Sequence, residues 1–235
     1  RGSKAHGTYR SNSEPHSIDD IDIMGVAISP PEYYLGLKSF EQFDKQYDEW
    51  DVVIYDIRKY FRLLLKCNPN VMSLLWLDNQ MYLRKTEPGQ ILIDNRNLFV
   101  SKQAYKSFSG YAYGQLKRMT HFECHGYMGE KRKQLVQKHG YDTKNASHLV
   151  RLLEMGIEFL ETGNLIVKRP NVSYLLDIKR GKYTLEQIQK RADTLLSKIE
   201  RARDDCKLPD KPNFEKANEL LVELIKTEFN NAGCS

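Results

Sequence analysis

Two stretches near the front of the chain carry the hydrophobic signature of strands. Ile21–Ile28, IDIMGVAI, alternates and then runs apolar, as a buried strand does, and Pro30-Pro31 stop it. Trp50–Ile57, WDVVIYDI, is dense in β-branched and aromatic residues. From about Arg58 the period becomes helical, with Phe61, Leu64 and Leu65 inward and Asn68-Pro69 as the stop. Val71–Leu77 restarts an apolar helix. Behind about Ser101 the pattern is helical throughout. Ala104–Met119 forms one helix, weakened by Gly110 and Gly114. Asp142 caps a second, which repeats Leu149, Leu152, Leu153, Ile157 and Leu160 at helical spacing. A third runs from Tyr183-Thr184 to about Cys206, before Pro209, and Phe214–Phe229 is the last. Leu165–Arg169 and Tyr174–Lys179 are short pieces between turns. The expected fold class is α+β, with a small mixed β-sheet domain over residues 1–98 and an all-α domain over 99–235.

Composition narrows the class of protein. Of 235 residues, 40% are hydrophobic and 29% charged, an ordinary globular balance. No apolar run approaches the roughly 18 residues of a membrane span, and no charged-then-apolar leader opens the sequence, so no membrane partner is expected. Cys67, Cys124, Cys206 and Cys234 are scattered without paired spacing, which argues against a disulfide framework and suits a reducing cytoplasm. Net charge is +5 but unevenly spread. Residues 1–60 hold seven Lys/Arg against eleven Asp/Glu, and residues 61–235 hold 29 against 20. An acidic front followed by a basic body suits a polyanionic substrate lying across both; the ordinary alternative is a solvated basic surface.

The acidic front holds the candidate chemistry. A turn at Gly2-Ser3 can cradle a triphosphate on backbone N–H groups, with the Ser3 hydroxyl as a further donor. Such a dipeptide means nothing alone; its value lies in the SIDDIDIM that follows. Asp20 and Asp22 stand at i and i+2 of a strand, so they share a face and can share divalent cations. Parity turns Asp19 away, where it reads as an acidic strand entrance or turn cap. The third carboxylate should come from the neighbouring strand at the same depth, which selects Asp51. Asp56, five residues on, faces the other side. Mg²⁺ or Mn²⁺ on Asp20, Asp22 and Asp51 would neutralise an α-phosphate, and Asp51 would help take the proton of an attacking hydroxyl.

The basic body offers a second constellation. Lys144, His148 and Arg151 lie at i, i+4 and i+7, on one helix face, and could bind the β- and γ-phosphates or an acceptor backbone. The ordinary reading is a polar stripe opposite the leucines, with His148 satisfied inside. Lys117-Arg118, Lys131-Arg132-Lys133 and Lys138 read as general attraction for nucleic acid, and Tyr111 and Tyr113 could stack on bases. His121, Cys124, His125 and His139 are close in sequence, but no paired-ligand spacing supports zinc.

These residues carry a resemblance. The chain resembles the DNA polymerase beta-type nucleotidyltransferase superfamily and, more narrowly, is similar to bacterial and phage nucleotidyltransferases of an RNA repair pathway polymerase beta family. The matching stretches are GSKAHGTY, SIDDIDIMGV, WDVVIYDIRKY, NPNVMSLLWL, GYAYGQLKRM, MGEKRK, GYDTKNASHLVRLLEMGIEFL and LPDKP, nearly the whole chain. The resemblance puts Gly2 and Ser3 at the nucleotide, Asp20 and Asp22 at the metal, and Asp51 as the third acid. It implies transfer of a nucleotidyl group from a nucleoside triphosphate to an acceptor hydroxyl, with an RNA 3′ end as the favoured acceptor. Two departures stand out. A strand is expected ahead of Gly2, where this sequence has only Arg1, and the interval from Ser3 to Asp20 is long enough for an inserted loop at Arg10–His16. Nucleotidylation of a protein hydroxyl and a catalytically silent RNA-binding module are the alternatives.

Overall fold

A computed structural model of the chain describes residues 1–11, 13–14, 17, 19–48, 50–120 and 130–232, with backbone only at 120, 130, 131, 231 and 232. His121, Cys124 and His125 lie outside the described residues, as does the Lys131 side chain.

The front part holds three strands, β1 (Ile21–Ala27), β2 (Gln42–Tyr47) and β3 (Trp50–Asp56), in the order β1-β3-β2. β1 runs parallel to β3 and β2 antiparallel to it, so the sheet is mixed. β2 was not foreseen. Its sequence, QFDKQY, is polar and every residue in it is exposed, so it carries no buried alternation to read. The register sets Asp22 beside Asp51. Asp56 faces the other side, as strand parity requires. There its buried carboxylate caps the next helix by accepting from the Arg58 N–H at 2.9 Å and takes a second bond from the Tyr34 hydroxyl at 2.9 Å.

Helices build the rest. In chain order they are α1 (Gly2–Ala5), α2 (Glu32–Leu35), α3 (Ile57–Leu64), α4 (Pro69–Met72), α5 (Glu87–Asp94), α6 (Ala104–Thr120), α7 (Glu130–His139), α8 (Thr143–Thr162), α9 (Val172–Lys179), α10 (Leu185–Asp205) and α11 (Phe214–Ala232). The class is therefore α+β, a small mixed sheet followed by helices. Asp142 caps α8, accepting from the Asn145 N–H at 2.9 Å. Thr184 and Gln187 form a reciprocal capping box on α10. The expected apolar helix at Val71–Leu77 divides into α4 and a 3₁₀ turn at Ser73–Trp76, and Leu165–Arg169 forms no element.

The core centres on α8, flanked by α6 and α10. A Cβ on Gly156 would lie 2.8 Å from both Phe108 of α6 and Ile199 of α10, so only glycine lets the two helices close on α8 from either side. Buried apolar residues run as one cluster from Ala5 to Leu224, and the sheet packs on it through Met24, Val26 and Tyr55. Among the described residues no helix is long and apolar enough to cross a membrane.

Candidate active site

A cleft of about 740 Å³ opens between the N-terminal residues, β1, α6 and α8. Gly2, Ser3 and Asp22 line one wall; Lys144, His148 and Arg151 line another.

The carboxylate wall follows from the sheet register. Asp22 and Asp51 sit side by side on one face of the parallel pair, and one guanidinium spans them. Arg1 Nη2 donates to Asp51 Oδ2 at 2.8 Å, while its Nε lies 3.8 Å from Asp22 Oδ1, too far for a hydrogen bond. Among the described residues the Asp22 carboxylate accepts no hydrogen bond from a side chain or backbone. Burial raises its pKa, Arg1 opposes that rise, and the neighbouring negative charge of Asp51 adds to it. Two hard oxygen donors held together, one under-stabilised as an anion, form a donor set that fits a divalent cation. Asp20 lies just ahead of β1, on the parity of Asp22, and is exposed. Among the described residues no group of three or more His, Cys, Asp or Glu side chains stands close enough to share a metal ion.

Gly2-Ser3 does not form a bare turn; it opens the single-turn helix α1, with Ser3 accepting at its carbonyl from the Thr8 N–H at 2.8 Å. Gly2 has φ +67°, and a Cβ there would sit 1.7 Å from Asp22 Oδ2. Backbone and carboxylate can come this close only at glycine. Gly2→Ala should therefore push the Asp22 side chain aside and lower turnover about 100-fold, the scale expected of a roughly 1 Å misplacement. Steady-state kinetics beside a melting curve would separate this from general unfolding.

The cationic wall is organised by His6, a residue from the N-terminal segment. His6 is buried; its Nδ1 donates to the Val167 carbonyl at 2.9 Å, which leaves Nε2 to accept from Arg151 Nη1 at 2.7 Å. Arg151 also donates to Met155 Sδ at 3.4 Å, and among the described residues it has no carboxylate partner. Burial and the neighbouring Arg169 lower its pKa to about 10, with Asp22 acting against them. His148 is pushed well below the usual histidine range by burial, then by Arg151, Lys179 and Lys144, so its ring is neutral near pH 7. Lys144 is 3.5 Å from the buried carboxylate of Asp19. Asp19 stands at the entrance to β1 and accepts the Arg10 N–H at 2.9 Å, and it is also a buried ion: Lys179 Nζ donates to both its oxygens, at 3.0 and 2.8 Å, and also to the Thr8 carbonyl at 2.8 Å. That ion pair joins the loop before β1 to α9 across 160 residues, a separation that no local pattern could reveal.

Paired carboxylates on a mixed sheet thus stand beside a glycine–serine segment, across the cleft from Lys144, His148 and Arg151. Residues 1–223 match the RNA repair pathway DNA polymerase beta family, RlaP, and the chain belongs to that family. It matches no curated protein and no solved structure.

Proposed function

We propose that the protein transfers a nucleotidyl group from a nucleoside triphosphate to the 3′ hydroxyl of an RNA. The observation that carries this reading is Arg151, a half-buried guanidinium in the cleft without a carboxylate partner among the described residues, facing the wall that holds Asp22. A desolvated cation held only by neutral acceptors favours an anionic ligand that brings the missing charge.

Arg151 and Lys144 would grip the β- and γ-phosphates, with neutral His148 as a further polar contact. The Ser3 hydroxyl would donate to a phosphate oxygen at the Gly2 segment. Asp22 and Asp51, the two carboxylates the register brings together, would hold Mg²⁺ or Mn²⁺. The ion supplies charge neutralisation at the α-phosphate. Asp51, the more exposed of the pair at 36% against 26% for Asp22, would take the proton of the attacking hydroxyl. Pyrophosphate then leaves toward Lys144 and Arg151.

Incubating the protein with each labelled triphosphate, Mg²⁺ or Mn²⁺ and total RNA, then sequencing the ends, tests the proposal. The expected result is 3′-extended RNA. Label appearing only in protein would favour a protein hydroxyl as acceptor. Salt-sensitive RNA binding without metal-dependent triphosphate binding would identify a silent module. Arg151→Ala should raise the triphosphate KM about 10- to 100-fold, the loss expected for hydrogen bonds to a charged group.

A further inference from the structure

One wall of the cleft is not used by this chemistry. The residues of α6 that line it include Lys106, Tyr111, Gln115 and Arg118, a single helical face. Lys106 and Arg118 are exposed, and neither forms an ion pair with a described residue. They are twelve positions apart, about 18 Å along the helix axis at 1.5 Å per residue. Between them the Tyr111 ring is 37% exposed, and its hydroxyl is fixed by the Asn68 side-chain amide at 2.8 Å. Gln115 Oε1 is buried and accepts no hydrogen bond, an unmet acceptor that costs free energy until a donor reaches it.

We infer that this face of α6 seats the single-stranded 3′ end of the acceptor RNA. The inference rests on the reading above that the acceptor is RNA. Lys106 and Arg118 contact two of the strand's phosphates, and a base stacks on Tyr111. The spacing of the cations selects a strand over a lone nucleotide: at about 3.4 Å per stacked residue, 18 Å spans roughly five nucleotides. The exposed ring selects unpaired bases, because a duplex keeps its bases stacked inside. The triphosphate's own charges are met on α8, at the end of the cleft nearest Asp22.

Equilibrium binding of a fluorescent single-stranded RNA, measured over a salt series without triphosphate, tests the inference independently of catalysis. Lys106→Ala/Arg118→Ala should flatten the slope of log K against log[salt] by about 1.4, the value for two contacts on a single strand. Tyr111→Ala should weaken binding about tenfold, and Tyr111→Phe should restore most of it. Binding of a non-hydrolysable triphosphate should be unchanged in all three variants. All the substituted side chains are exposed, so folding is preserved. The inference fails if the salt slope of the double variant equals that of the parent, or if the double variant loses triphosphate while keeping RNA. Loss of RNA extension with RNA binding intact would instead count against the catalytic reading alone.

Discussion

Asp22→Asn should fold at least as stably as the parent protein and lose at least about 10³-fold in nucleotide incorporation. Both halves of this expectation come from one environment. Burial and the adjacent charge of Asp51 raise the Asp22 pKa, and Arg1 opposes them only in part. Because the folded state binds the Asp22 proton more readily than the unfolded chain does, stability falls as pH rises from about 4 through the folded pKa. The cost is fully present above the folded pKa, where the carboxylate is ionised. Asparagine keeps the shape and removes that cost, and with it the charge a cation needs. Thermal melting at pH 5 and pH 8 beside an incorporation assay would check both: the parent should lose stability relative to Asp22→Asn between the two values. A variant that melts lower and still incorporates nucleotide would contradict the assignment.

How much of this was legible in the sequence follows from the range of each interaction. β1 and β3 announced themselves because burial wrote apolar residues into them, and α6, α8, α10 and α11 through their 3.6-residue period. The Asp142 cap acts across three residues and was readable for that reason. β2 was not, since an exposed edge strand needs no apolar face, and α5 and α7 were missed as short segments, α7 being strongly polar. Strand parity placed Asp56 opposite Asp51, but only the parallel register could set Asp22 against Asp51. The expectation for Lys144, His148 and Arg151 rested on helix spacing, which puts them on one face without saying what that face meets. Their partners lie far off in the chain: His6 is 145 residues from Arg151. Such tertiary pairs leave no mark on local pattern, which is why Asp19 read as an acidic strand entrance or turn cap with no hint of its buried pairing with Lys179.

Lys179→Met should destabilise the protein by about 3–5 kcal/mol, the usual result of removing one partner from a buried ion pair. At this chain length that corresponds to a melting point lower by about 10 °C. Asp19 and Lys179 are 3% and 4% exposed, so water cannot replace the lost ammonium. The Thr8 carbonyl would lose its donor as well. The remaining cation near Asp19 is Lys144, 3.5 Å away; with Lys179 gone, the uncompensated carboxylate should draw it out of the cleft. Triphosphate KM should then rise several-fold at a temperature where the variant is still folded. Asp19→Asn/Lys179→Met removes both charges and should recover most of the stability, since the penalty belongs to the orphaned carboxylate more than to the missing pair. If the double variant melts as low as Lys179→Met, the loss comes from the ammonium's own contacts, the Thr8 carbonyl among them, and not from an orphaned carboxylate, and Asp19 has no special hold on Lys144. If it recovers stability and the KM rise disappears with it, the buried pair is what keeps Lys144 in the cleft, an ion pair between residues 160 positions apart holding a third side chain in place.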